Sequence, residues 1–170
     1  IPGFENYNLR VRKKGGFYLP NNAREGDFAS THTKKANFTI NKPSEIELEE
    51  NQFLMMTIRT HDQYNTTIYG LNDRYRGILN ERRVILMNQT NIDHLGLKKL
   101  DKVNLKSHFQ GEIREAKNFL VVPYNIPKDS TATYFPEANV LVPIKSKADK
   151  SNTPTSKTII ITIEKTHETE

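Results

Sequence analysis

The sequence contains no cysteine. That excludes disulfides, thiolate metal sites and cysteine nucleophiles within these residues, and it points to a cytoplasmic setting. Hydrophobic residues are scarce, at 35%, with a mean hydropathy of −0.69. No apolar run approaches the roughly 20 residues of a membrane span, and no signal-peptide pattern opens the chain, so no membrane partner is expected. The usual catalytic signatures are missing too. None of the five histidines sits in a His-Glu-x-x-His spacing. There is no Gly-x-Ser-x-Gly elbow, no phosphate-binding Gly-rich loop and no Gly-x-Gly-x-x-Gly fingerprint. Asp62 and Asp73 are a conceivable carboxylate pair, but nothing in the sequence brings them together. No catalytic residue and no metal ligand is nominated, and an autonomous enzyme is not expected.

What is present begins with charge. The formal net charge is +5 and the isoelectric point about 9.3, which favours anionic partners: phosphate esters, nucleic acid or an acidic domain. A length of 170 residues is one domain's worth. The first residue is Ile1 rather than Met, which suggests an excised piece of a larger protein.

Short apolar runs at near-regular spacing predict strands over Phe53–Ile58, Arg83–Met87, Lys102–Lys106, Asn118–Tyr124 and Lys157–Glu164. Thr31–Ile40 is expected to end as a further strand, closed by Lys42-Pro43. A short helix over about Thr90–Leu95 has Asn88 or Thr90 as its cap and Gly96 as its left-handed stop. Gln110-Gly111 reads as a hairpin turn. Asn21–Ala29 and Asn125–Ala138 read as loop, Asn139–Ile144 as a short strand or extended turn, and Lys145–Ser156 as a polar loop. Residues 1–45 are expected to be a segment that leads into the domain and packs on it, with residues 46–170 forming the domain. Many short strands and few helices indicate a mainly β, closed architecture.

The most informative stretch runs from Phe53 to Gly77. Its strand-length apolar start is followed at once by Arg59, Thr60, His61, Asp62, Gln63, Asn65 and Thr66, then by Arg74 and Arg76. A rigid strand that delivers so many hydrogen-bonding groups at its carboxyl end is a support for a polar, extended ligand. The nearby arginines make phosphate a part of that ligand.

The run Thr-Ile-Arg-x-His-Asp-Gln-x-Asn-Thr-x-x-Tyr-Gly-Leu-Asn-Asp-Arg-Tyr-Arg-Gly, at Thr57–Gly77, resembles the molybdopterin-dinucleotide-binding domain of molybdenum oxidoreductases, within formate-dehydrogenase-like alpha subunits. The likeness extends to Ile1–Glu5, Gly15–Pro20 and Lys35–Thr39. It continues at Tyr134–Leu141 and at Ser151–Lys157. Asn88 to Val103 is similar to the family's Asn-Pro-x-Asp-Ala, Gly-x-x-x-Gly-Asp-x-Val element. There Gln89 replaces the usual proline, and Leu100-Asp101-Lys102 stands where the family carries its Gly-Asp pair.

The resemblance implies a six-stranded double-psi β-barrel with a few short helices, acting as the carboxyl-terminal cofactor-binding domain of a cytoplasmic molybdenum oxidoreductase. The cofactor would be the bis-molybdopterin guanine dinucleotide (bis-MGD) with molybdenum. The metal's protein ligand and any iron–sulfur cluster would lie in the rest of the parent, so the piece alone would be inactive. Its partners would be the parent's remaining domains and, through the parent, an electron-transfer protein. Implied cofactor-binding residues are Thr57, Arg59, His61, Asp62, Gln63, Asn65, Thr66, Asn139, Asn152 and Lys157. Arg59 would grip the pyrophosphate in bidentate fashion, and Lys157 would neutralise a phosphate. His61 and Gln63 would hydrogen-bond the pterin side, or order the loop from behind it. Thr57 would offer its hydroxyl, and Arg74 and Arg76 would contact other domains. The competing readings are a basic barrel that binds single-stranded nucleic acid and a protein-interaction module. The first of these wants aromatics alternating with basic residues on one strand face, whereas here the aromatics are scattered, many in loops.

Overall fold

The computed structural model describes residues 3–43, 45–65 and 68–166. The chain divides into two units, Ile1–Glu45 and Ile46–Glu170.

The first unit holds two single-turn helices, α1 (Tyr7–Arg10) and α2 (Asn22–Glu25). Asn21 caps α2 by accepting from the Arg24 amide at 3.0 Å, and Gly26 ends it in the left-handed region. A small aromatic cluster orders the start of the unit. Phe4 stacks on Tyr7, Tyr7 meets Phe17 edge-on, and the Arg10 guanidinium lies 4.0 Å from the Phe17 ring centre. The strand expected to end at Ile40 does not form. No strand lies within the described residues of this unit, and Phe38 and Ile40 are fully exposed. An isolated extended segment has no ladder to satisfy its amides and no layer to bury its apolar face, so β propensity alone does not hold it.

The second unit is a closed barrel of six strands, the architecture implied by the resemblance. They are β1 (Phe53–Ile58), β2 (Val84–Met87), β3 (Lys102–Phe109), β4 (Glu112–Pro123), β5 (Ser130–Tyr134) and β6 (Ile159–Lys165). Their order around the barrel is β1-β5-β2-β4-β3-β6. β1 runs parallel to β5, and β2 parallel to β4; the other four pairings are antiparallel. A helix α3 (Gln89–His94) and a 3₁₀ turn (Asn139–Leu141) complete the unit.

Strict alternation places Phe53, Met55, Val103, Leu105, Ile159 and Ile161 in one core cluster with Ile85, Met87, Phe119 and Val121. β2 is buried on both faces, because Val84 and Leu86 enter a second cluster with Ile78, Ala132 and Tyr134. Each fully buried side chain of this size stabilises the fold by about 1.5–3 kcal/mol.

The remaining differences from the sequence reading have local causes. Asn125–Ala138, read as loop, contains β5. Its Ser-Thr-Ala-Thr-Tyr sequence carries little apolar signal, yet four of its five residues are buried between β1 and β2. Asn139–Leu141 is a 3₁₀ turn rather than a strand; its first amide is taken by the Pro136 carbonyl at 2.9 Å. β3 and β4 form one long hairpin through Gln110-Gly111, both at positive φ (48° and 81°), the conformation a two-residue turn requires. Asn118, at φ 61°, breaks the ladder within β4, and the Asn104 side chain accepts its amide at 3.1 Å.

Candidate functional site

Strand directions gather the polar motifs at one end of the barrel. The carboxyl ends of the parallel pair β1 and β5 are neighbours, with Ile58 opposite Tyr134. β6 runs the other way beside β1, Ile159 opposite Met55, so the amino end of β6 shares that end. β2, antiparallel to β5, begins there as well. Hence the loop after β1, the turn after β5, the loop before β6 and the segment before β2 all leave the barrel on one rim. Nine of the ten nominated residues lie on this rim or on the strand end beneath it; Thr66 lies outside the described residues.

Thr57, Arg59, Phe135, Ser156 and Lys157 line an open recess of about 330 Å³. Thr57 is buried, and its hydroxyl donates to the Ser156 carbonyl at 3.0 Å. Its amide donates to the same carbonyl at 2.9 Å, so Thr57 knits the loop before β6 onto β1. The Lys157 ammonium donates to the Thr57 carbonyl. Burial, and then the neighbouring Arg59 guanidinium, push the Lys157 amine below its ordinary value. Neither cation makes an ion pair with a described residue. Two cations without a described counter-charge, both lining one recess, suit an anion.

The polar loop after β1 divides into free and engaged groups. His61 is exposed, its ring centre 4.0 Å from that of Tyr75. Asp62 is exposed and pairs with Arg74 at 3.2 Å. Gln63 is engaged with protein throughout. Its amide nitrogen donates to the Asn65 and Phe135 carbonyls, both at 2.8 Å, and its oxygen accepts from the Thr60 amide and from Arg82. Gln63 thus orders the loop, the second of the two roles foreseen for it. Asn65 is exposed at φ 53°, a left-handed position that Asn tolerates. Asn139 is exposed and opens the 3₁₀ turn after β5. Asn152, at φ 55°, turns the loop before β6, its amide bonded to the Ala148 carbonyl at 3.0 Å.

Asp73 and Asp62 do not pair with each other; each has its own arginine. The Asp73 side chain is fully buried and accepts from Arg76 at 2.6 Å and from the Tyr134 hydroxyl at 2.8 Å. Burial alone would raise its carboxyl, but the hydrogen bonds from Arg76 and Tyr134 outweigh burial and hold it below the usual range. The same burial, with Asp73 beside it, pushes the Tyr134 phenol far up. Arg76 is therefore committed within the barrel unit.

The sequence reading missed Arg82, which is 3% exposed. Nothing marks it in the sequence: it is one of two adjacent arginines before β2 and reads as a solvated charge. Its partners come from loops 12 to 55 residues away, so only folding brings them together.

Comparison with known proteins adds an independent line. The family model described as "Molydopterin dinucleotide binding domain" matches residues 53–160. An "Uncharacterized oxidoreductase" of Mycobacterium tuberculosis is 45% identical over 171 residues, covering 98% of this chain and 22% of the relative. "Protein YdeP" of Escherichia coli is 36% identical over 172 residues, covering 96% of this chain and again 22% of the relative. The chain thus spans under a quarter of the length of these curated relatives.

Proposed function

The chain belongs to the molydopterin dinucleotide binding domain family, and from that premise we propose that the Arg59–Lys157 recess holds the dinucleotide's pyrophosphate. The observation that carries this is the facing pair of cations without a described counter-charge, at the rim where three loops of the barrel meet. The donor set fits the group. Arg59 and Lys157 meet the phosphates; His61, Asn65, Asn139 and Asn152 are exposed polar groups on the same rim, suited to the ribose, base and pterin edges. Asp62, through its Arg74 pair, and Thr66 are further contacts in this reading. Thr57 and Gln63 act behind them, holding the loops that carry the contacts. When bound, the group supplies the redox chemistry of its metal; this chain's residues bind and orient it.

Within this reading the parent is a cytoplasmic, formate-dehydrogenase-like molybdenum oxidoreductase carrying bis-MGD. Its iron–sulfur cluster and metal ligand would lie in other domains, which the exposed Arg74 would contact. The motif at Thr57–Gly77 supports that subgroup. The test is made on the full-length protein. Nucleotide and oxidised pterin released by acid are measured by chromatography, molybdenum and tungsten by mass spectrometry, and formate oxidation with an artificial acceptor. Guanine nucleotide with molybdenum is expected, held at least about a hundredfold more weakly in the Arg59→Gln/Lys157→Met double variant, two lost charge-assisted bonds at about 1.5–3 kcal/mol each summing to about 3–6 kcal/mol. Full occupancy in the double variant would remove the recess from the site.

A further inference from the structure

We infer that Arg82, clamped by Glu137, is a positioning residue that sets the shape of the dinucleotide recess; the inference rests on the reading of that recess given above. Its Nε donates to one Glu137 carboxylate oxygen at 2.7 Å and its Nη2 to the other at 3.2 Å, a two-pronged pair with Glu137. The same Nη2 donates to the Gln63 side-chain oxygen at 3.1 Å and to the Phe135 carbonyl at 2.9 Å. Nη1 reaches the Gly70 carbonyl at 3.4 Å. The guanidinium also lies 4.2 Å from the Tyr69 ring centre and 5.1 Å from that of Tyr134.

One side chain therefore ties the loop after β1, the excursion that follows it, and the turn after β5 to the start of β2. Phe135 is a wall of the recess, and Gln63 holds both that wall and the loop that begins at Arg59. An ion pair this buried is a poor device for stability alone, since apolar residues of like volume often serve as well. Apolar residues could not aim a glutamine amide and two carbonyls at once. Lysine, a point charge without the fork, could not hold them together either. The site uses the two-pronged geometry that the charged Arg82–Glu137 pair supplies.

The experiment compares full-length variants by cofactor content, by the rate at which pterin is lost on dilution, and by melting temperature. Arg82→Lys is expected to lose cofactor about tenfold faster, the scale typical when a supporting shell is removed. Gln63→Leu is expected to do the same, and the two together no worse than either, because they act through one clamp. Val103→Ala, in the core on β3 opposite the far end of β6, supplies a variant with comparable loss of melting temperature and normal retention. If Arg82→Lys does not accumulate, Glu137→Gln, which leaves Arg82 in place and removes its counter-charge, carries the same expectation. Retention in Arg82→Lys or Glu137→Gln no worse than in Val103→Ala overturns the inference. Arg59→Gln/Lys157→Met distinguishes the two levels. Loss there with retention in the Arg82 and Glu137 variants refutes the clamp alone, whereas retention in both refutes the recess.

Discussion

Asp73→Asn should destabilise the barrel strongly and leave a defined signature. The wild-type carboxylate makes four contacts: Arg76 at 2.6 Å, the Tyr134 hydroxyl at 2.8 Å, and the backbone amides of Tyr75 and Arg76 at 3.1 and 3.3 Å. Asparagine keeps one oxygen, which serves the two amides, so the 73–78 turn, closed by mutual backbone hydrogen bonds of Asp73 and Ile78, survives. Its amide group replaces the oxygen that served Arg76 and Tyr134 and presents a donor to a guanidinium that has only donors. Breaking a buried ion pair costs about 3–5 kcal/mol. Arg76 is a quarter exposed and regains some hydration, so about 3 kcal/mol is expected overall. For a domain of this size that is a fall of roughly 10 °C in melting temperature. Tyr134→Phe alone should cost less, about 1–2 kcal/mol, because Asp73 keeps Arg76. In a double-mutant cycle measured by urea unfolding, the two should couple by about 1 kcal/mol or more. The acid limb adds a second check. Because the folded carboxyl sits below its unfolded value, protons bind the unfolded chain first as pH falls. The contribution of Asp73 is therefore complete above about pH 5 and is lost below about pH 4. Asp73→Asn should flatten that limb. Additive single-mutant effects, or an unchanged acid limb, would refute the assignment of Asp73 as the buried anchor of the 73–78 turn.

The other expectations are narrower. Anion binding at the recess should weaken with rising pH from a lower pH than an ordinary lysine would give, because Lys157 loses its proton earlier. Lys157→Arg should abolish that slope, with calorimetry in two buffers of different ionisation enthalpy as the assay. Leu100 stands at φ 68° where the resembled family carries glycine, and it is largely exposed. Leu100→Gly should therefore stabilise the unit by about 1 kcal/mol in urea unfolding, relief of left-handed strain exceeding the added chain entropy. Asn88 caps α3 by accepting from the Thr90 amide at 2.9 Å and donates to the Ile126 carbonyl at 2.7 Å. Asn88→Ala should cost about 1–2 kcal/mol, read as a lower melting temperature.

Residue pattern alone located most of the barrel. β1 coincides with the run Phe53–Ile58, and β2, α3, β3 and β6 overlap the segments read as strand or helix. These were legible because alternation, capping and turn residues are local properties written into a few neighbours. β5 was not legible, because its five residues are held by two flanking strands and not by their own apolar content. The expected strand at Thr31–Ile40 failed for the converse reason: it has the propensity but no partner strand among the described residues.

The candidate site divides the same way. The density of polar side chains after β1, and the likeness carried by Thr57–Gly77, were fixed by the order of residues and by nothing else. Which of those side chains are spent depends on the closed fold. Gln63 is consumed by the Phe135 and Asn65 carbonyls, and Arg76 by Asp73, while Arg59 and Lys157, nearly a hundred positions apart, face one recess. Arg82 became a hub only when strand order placed the start of β2 beside the end of β5. A charge in a sequence has no partner until the chain closes around it, and whether it is solvated, paired or left free for a ligand is settled by that closure.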